Sequence, residues 1–288
     1  MRLQDDITVV IPAFRAERTL PGAVASLLHQ TEARWRAIVV ADDETDYETL
    51  LAEIGLRDRR LQFLSTGGTG SGASATRNCG LDAARTRYLA VLDADDRMKP
   101  TKLARLREAL GVHAIVSTAL DVKDASGTTL RSVGAGADRR LVPGDYKFVN
   151  LSMDSMIGWD REACDGRYDP TLPNMNDLEL LLQLLQGADH VFHIGEPLHD
   201  YIKQPASLSN GDGFTERMVR AKRDLLGRLQ TNHYRFAEPG TAAGMVAFLA
   251  ISLEAETTYP AALVRRPDLL FEDHLEPQLY VRRSAAGA

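Results

Sequence analysis

The chain has 288 residues, 44% of them hydrophobic and 26% charged, which suffices for a substantial core and excludes disordered, collagen-like and coiled-coil classes. Its 34 Lys and Arg stand against 40 Asp and Glu, and the net charge of -6 disfavours a surface built to track nucleic-acid phosphates. The two cysteines, Cys79 and Cys164, match no metal-ligand spacing and read as buried or free thiols in a reducing compartment.

The opening MRLQDDITVV has no basic segment leading into a long apolar run, so no secretory signal is expected. The longest uncharged apolar stretch, 242–253, falls short of the ~20 residues of a membrane span. A cytoplasmic protein with no transmembrane span is the expectation. Over the first hundred residues, β-branched apolar runs alternate with helical patterns: strands at 7–11, 37–40, 61–64 and 88–92, helices at 20–28, 50–54 and 73–85. That alternation predicts an α/β fold of Rossmann type, a mostly parallel sheet with helices on both faces.

After Pro100, the spacing of Leu103, Leu106 and Leu110 predicts another helix. Strand-like runs at 114–122 and 128–133 flank Asp124-Ala125-Ser126-Gly127, a hairpin turn, so the pairing is expected to change from parallel to antiparallel. DLELLLQLLQ reads as a helix capped by Asn176 and ended by Gly187. Further helices are expected at 218–229 and 242–253, with a frayed tail from 282. The divisions that follow are 1–98, 99–210 as a second half of the same domain, and a C-terminal helical extension at 211–288.

Ligands of an open parallel sheet bind beyond the carboxyl ends of its strands. There the sequence places Pro12-Ala13-Phe14, then Asp42-Asp43-Glu44, then a glycine loop, then Asp93-Ala94-Asp95-Asp96. Three carboxylates within four residues repel unless solvent or a cation relieves them, and hard oxygens of this kind suit Mg or Mn. An acidic turn opening the next helix is the alternative local reading. Asp42 can accept from a base or ribose, and equally can form a local turn. Arg77, just inside the helix after the glycine loop, offers a fixed cation to a base or phosphate, or serves the helix surface.

In order along the chain, ITVVIPAF, HQT at 29–31, IVVADDETD, GASATRNCGLDAA and YLAVLDADD resemble the inverting glycosyltransferases of family 2, which have a GT-A fold. The resemblance is strong over 7–110 and weaker over 150–210. It implies transfer of a sugar, with inversion and a divalent cation (Mn or Mg), from a nucleotide diphosphate donor, a UDP-sugar, to an acceptor hydroxyl on a saccharide, a lipid-linked molecule or a small molecule. It further implies nucleotide contacts from Pro12, Ala13, Phe14, Glu17, Asp42, Arg77, Asp93 and Ala94, with Asp93 and Asp95 at the metal and Asp95 the principal ligand. Asp177, opening the helix at 176, is the implied general base, with Asp154 and Asp169 as alternatives. Trp159 and Tyr168 are candidates to stack on a sugar, with Trp159 and Asp154 assigned to the acceptor. His190, His193 and His199 lack zinc spacing and read as structural, His199 being the one expected to approach the phosphates. A homodimer through the C-terminal helices is a further expectation.

The sequence departs from the family pattern at Arg15, Ala41, Asn176, Ile202 and Gln204, where the family has Asn, an acid, Glu, Arg and His. These departures motivate a second reading, a catalytically degenerate nucleotide-binding homologue. A third is an NAD-dependent dehydrogenase, because Gly68-Thr69-Gly70 and Ala73 follow a strand, open a helix and precede Asp93 by about twenty residues.

Overall fold

A computed structural model describes residues 4–149, 154–203, 214–267 and 269–286. In its first part β1 (Gln4–Ala13), α1 (Leu20–Leu28), β2 (Trp35–Ala41), α2 (Tyr47–Glu53), β3 (Leu61–Ser65), α3 (Ala73–Ala83) and β4 (Thr86–Val91) alternate as expected. There follow β5 (Arg97–Met98), α4 (Lys102–Leu110), β6 (Ile115–Lys123), β7 (Thr129–Val133), β8 (Arg139–Leu141), α5 (Tyr146–Val149), β9 (Ile157–Asp160), α6 (Asn176–Leu184) and β10 (Val191–Ile202). Helices α7 (Phe214–Gln230), α8 (Thr241–Arg265) and α9 (Phe271–Ala286) complete the chain.

The strands form one sheet in the order β3-β2-β1-β4-β9-β6-β10-β5, with β7 on β6 and β8 on β10. β1 pairs in parallel with both β2 and β4, and β2 with β3. The chain therefore moves outward from β1 through β3 and returns on the other side of β1 at β4, a topological switch point, beyond which open sheets of this kind bind their ligands. The second half is mixed rather than antiparallel. β9 runs antiparallel to β4 and β6, and β7 to β6, but β10 lies parallel to β6.

Alternation along β1 decides which helices cover which face. Val9 and Ile11 join α1, α2 and α4 through Leu20, Leu27, Leu51, Leu103 and Leu106, while Val10 faces Leu81 of α3. The α3 face continues into Leu178 to Leu182 of α6 and into Leu225, Leu229, Met245, Phe248, Leu275 and Leu279 of α7 to α9. The C-terminal helices thus share the main core and bury the face of α8 carrying Met245, Phe248 and Leu249 against their own chain.

Two helical readings change. Asn176 is not the cap of α6: Met175 holds that place with φ 57, and the Asn176 amide turns back to donate to the carbonyls of Asp169 (2.8 Å) and Leu172 (3.2 Å). Residues from 282 continue α9 to Ala286 instead of fraying. Gln204, one of the family departures, lies outside the described residues. No helix among the described residues is long and apolar enough to cross a membrane.

Candidate active site

Helix α3 ties the strand ends together. Gly72, at φ 93, and Ser71 aim their backbone N–H groups at Asp42 just beyond β2, at 2.9 Å each, and the Thr66 hydroxyl donates to the same carboxylate at 2.9 Å. Gly72 suits that φ because it carries no Cβ. Asp42 is buried, and although burial pushes its carboxyl up, the Gly72, Ser71 and Thr66 donors outweigh this and hold it below its usual value. A carboxylate has about four acceptor sites, and the Gly72 and Ser71 amides with the Thr66 and Ser71 side chains commit Asp42 to bracing the glycine loop. This arrangement also disfavours the dehydrogenase reading. The helix-start amides that would cradle a pyrophosphate are filled by an internal carboxylate, and the loop follows the edge strand β3.

Further along α3, Arg77 Nη2 donates to Asp93 Oδ1 at 2.6 Å, and its guanidinium lies 5.2 Å from the Tyr168 ring centroid. Asn78 clamps the Tyr168 backbone in both directions, donating to its carbonyl at 2.8 Å and accepting from its N–H at 2.9 Å. One helix therefore joins the end of β2, the end of β4 and the loop leading to α6. Beside it, Asp43 accepts from the Arg15 N–H at 2.6 Å and from the Tyr47 hydroxyl at 2.9 Å. That clamp fixes the loop after β1 where Arg15 sits at φ 50, a conformation that side chains other than Asn and Gly adopt at a cost. In that loop Phe14 is 44% exposed, with the Arg15 guanidinium over its ring at 5.0 Å, whereas Ala13 is buried and contributes only backbone. Pro12 is half-buried, and exposed Glu17 accepts from the Thr45 hydroxyl at 3.3 Å.

The acids after β4 take three different roles. Asp93 is engaged by Arg77 through one oxygen. Ala94 is buried. Asp95 is partly buried, and loss of hydration together with the Asp93 charge pushes its carboxyl up, so it stands beside a like charge without full compensation. Asp96 turns inward, fully buried, and accepts from His199 Nε2 and from the Ile202 N–H, both at 2.9 Å. Lys102, also fully buried, donates to the Ser155 carbonyl at 2.6 Å and contacts His199 Nδ1 at 3.2 Å. Burial pushes Asp96 well up, pulls His199 well down and brings Lys102 to about 7.

Among the described residues no group of three or more His, Cys, Asp or Glu could by itself hold a metal ion. The donor set instead fits a cation held by Asp95, with Asp93 beside it, and completed by phosphate oxygens, which is how Mg and Mn commonly sit on a diphosphate.

Asp177 occupies the first turn of α6, partly buried, near buried Lys147, whose amine burial pulls below its usual value while the Asp177 charge offsets part of the shift. The N-terminus of α6 is anchored by Asp169, which accepts from the Thr171 N–H (2.8 Å) and from Arg228 of α7 (2.7 Å). These bonds hold Asp169 below its usual carboxyl value against the effect of burial and commit it to structure. The Asp154 side chain lies outside the described residues.

The aromatic assignments are corrected. Trp159 is fully buried on β9 and Tyr168 lies beneath Arg77, so neither presents a face to a sugar; both fill the core that joins β4 to α6. His199 meets Asp96 rather than phosphate, His193 is held between Ser117 Oγ and the Gly134 carbonyl, and His190 pairs with His113 and Asp189. Both cysteines are free thiols. Sequence reasoning missed Asp43, Asn78 and Lys102. For Lys102 a signal existed, since it falls on the helix face carrying Leu103, Leu106 and Leu110, where a lysine needs an internal partner.

Residues 8–149 match the family model described as Glycosyl transferase family 2. The chain is 27% identical over 213 residues to TuaG of Bacillus subtilis, described as a teichuronic acid biosynthesis glycosyltransferase, covering 71% of this chain and 81% of that protein. It is 34% identical over 97 residues to the Escherichia coli UDP-Glc:alpha-D-GlcNAc-diphosphoundecaprenol beta-1,3-glucosyltransferase WfgD, covering 34% of this chain but only 38% of that one. Among solved structures, S. aureus TarS 1-349 in complex with UDP-GlcNAc shares the fold, with a TM-score of 0.65 at 14% identity over 95% of this chain and 79% of that one.

Proposed function

The chain belongs to glycosyl transferase family 2 and has the GT-A fold, and on that premise we propose that it moves a sugar from a UDP-sugar to an acceptor hydroxyl, inverting the anomeric carbon, with Mn or Mg at Asp95. The observation that supports this reading is the convergence on α3, where Asp42, Arg77 and Asp93 join the strand ends that flank the switch point.

Phe14 offers a ring to the base, and Asp42, held by the Gly72, Ser71 and Thr66 donors, fixes the glycine loop beside the base and ribose. Asp95, with Asp93 beside it, would hold the cation, which would supply positive charge to offset that growing on the departing diphosphate. Arg77 stays aligned between Asp93 and Tyr168, keeping a fixed positive charge next to the pyrophosphate. Asp177 takes the proton of the acceptor hydroxyl as it attacks from the opposite face of the sugar.

Release of UDP from a panel of UDP-hexoses, alongside calorimetric UDP binding, tests the assignment. Asp177→Asn is expected to lower turnover about 10²- to 10⁴-fold, the usual contribution of a general base, with UDP affinity unchanged. Normal turnover in this variant removes Asp177 from the mechanism. The departures at Arg15, Ala41 and Ile202 favour a degenerate, nucleotide-binding homologue as the second reading. UDP binding by the wild type with no UDP release from any donor would select it.

A further inference from the structure

Asp96, Lys102 and His199 come from the turn after β4, the start of α4 and the middle of β10, and all three side chains are fully buried. Each polar contact between them is specific. An ammonium at Lys102 has only protons to offer, so His199 Nδ1 accepts, and the imidazole proton then sits on Nε2 facing Asp96 Oδ2 at 2.9 Å. The N–H of Ile202 donates to the other oxygen of Asp96, which favours the carboxylate, and Lys102 reaches on to the Ser155 carbonyl ahead of β9. With the proton on Lys102 or on Asp96, the set as a whole is neutral around a neutral ring. Such a buried set gains little net stability over apolar residues, yet removing one member leaves its partners uncompensated.

We propose that Lys102 and His199 are positioning residues of the transfer site, holding Asp96 so that its chain neighbour Asp95 faces the donor diphosphate. Three observations make this more than packing. Asp96 immediately follows Asp95 in a tight turn closed by the bond from the Asp96 N–H to the Asp93 carbonyl at 3.0 Å, so the direction of one side chain constrains the other. β5, which begins one residue later, is pinned to β10 with Met98 opposite His199 and Arg97 opposite Asp200, so the turn is held from both ends. Arg97 donates to the Asp96 carbonyl at 2.7 Å and closes the turn from outside. His199 thus plays for a carboxylate turn the part played by residues that orient metal ligands through a hydrogen bond.

The inference rests on Asp95 holding a cation together with UDP, and the two can be tested apart by calorimetry of UDP binding with and without MnCl2. In His199→Phe, which fills the space but offers no donor, Mn-dependent UDP affinity is expected to fall about 10- to 100-fold, the usual cost of losing an orienting partner. UDP affinity without metal is expected to stay within about twofold of wild type. His199→Gln, whose amide N–H can take the place of Nε2, is expected to restore most of the Mn-dependent affinity, a rescue that a space-filling role would not give. Should His199→Phe fail to fold, Lys102→Met makes the same comparison, since it frees the ring to place its proton on Nδ1 and withdraw it from Asp96. Mn-dependent affinity that survives in a folded His199→Phe or Lys102→Met protein overturns the positioning role and leaves the Asp95 assignment standing. A wild-type protein that binds UDP no better with MnCl2 overturns the Asp95 assignment, and the inference with it.

Discussion

Asp42 shows what a single residue can and cannot disclose in sequence. An acid at the end of a parallel strand marks a ligand site, and that much is legible because strand ends follow from apolar periodicity. Its three donors are not legible, because Thr66, Ser71 and Gly72 reach it only once the glycine loop has closed. The same limit hides the burial of Trp159 and Tyr168, since an aromatic in a loop-rich stretch looks alike whether it covers a core or faces a sugar. The Asp42 carboxyl is held below its ordinary value of 3.8. A group with a depressed folded pKa contributes stability that is complete above the unfolded value and is lost as pH falls through the folded one. Asp42→Asn is therefore expected to cost about 2 kcal/mol near neutral pH, the scale of a charged buried hydrogen bond. Its deficit should shrink as pH falls below 3.8 and through the depressed folded value, where wild type also loses the contribution. Thermal unfolding of both proteins across that range checks the sign, and a deficit independent of pH contradicts it.

Elements were most legible where periodicity and punctuation agree. Helices α1 and α4 and the hairpin of β6 and β7 follow the sequence closely, since apolar spacing, Pro100 before α4 and the Asp-Ala-Ser-Gly turn leave few alternatives. The C-terminal helices were less so. Helix α8 continues past the expected 242–253 to Arg265 and, like α9, contains a proline, Pro260 in α8 and Pro277 in α9, each of which removes a backbone donor. α9 is held from β7, with Arg131 Nη1 2.5 Å from Asp273, and Tyr259 donates to the Leu269 carbonyl at 2.6 Å. Helix α8 docks where Gly244 passes the turn at Gly144 so closely that a Cβ on Gly244 would lie 2.1 Å from the Gly144 carbonyl oxygen. Gly244→Ala gains helix propensity of about 1 kcal/mol in isolation. In the folded protein it is expected to destabilise by about 1–3 kcal/mol, as overpacking does. Chemical denaturation decides, and a stabilised variant would mean that α8 does not rest on Gly144.

For the whole molecule, the strand order around β1 follows from the βαβ alternation, and with it the switch point at which the donor is proposed to bind. The second half was not readable to the same degree: β9 and β10 insert between and beside earlier strands, and such long-range pairings leave no local pattern. That insertion brings His199 under the turn of Asp93 to Asp96 and puts α6, with Asp177, on the α3 face of the sheet. The measurement that bears most directly on the central claim is UDP release from a panel of UDP-hexoses by wild type and Asp95→Asn, each in MnCl2 and then in excess EDTA. Turnover that requires the metal in wild type and falls about 100-fold or more in Asp95→Asn, as expected for a lost ligand to the charge-bearing ion, is the predicted result. Equal turnover in EDTA, or an Asp95→Asn protein as active as wild type, would contradict it.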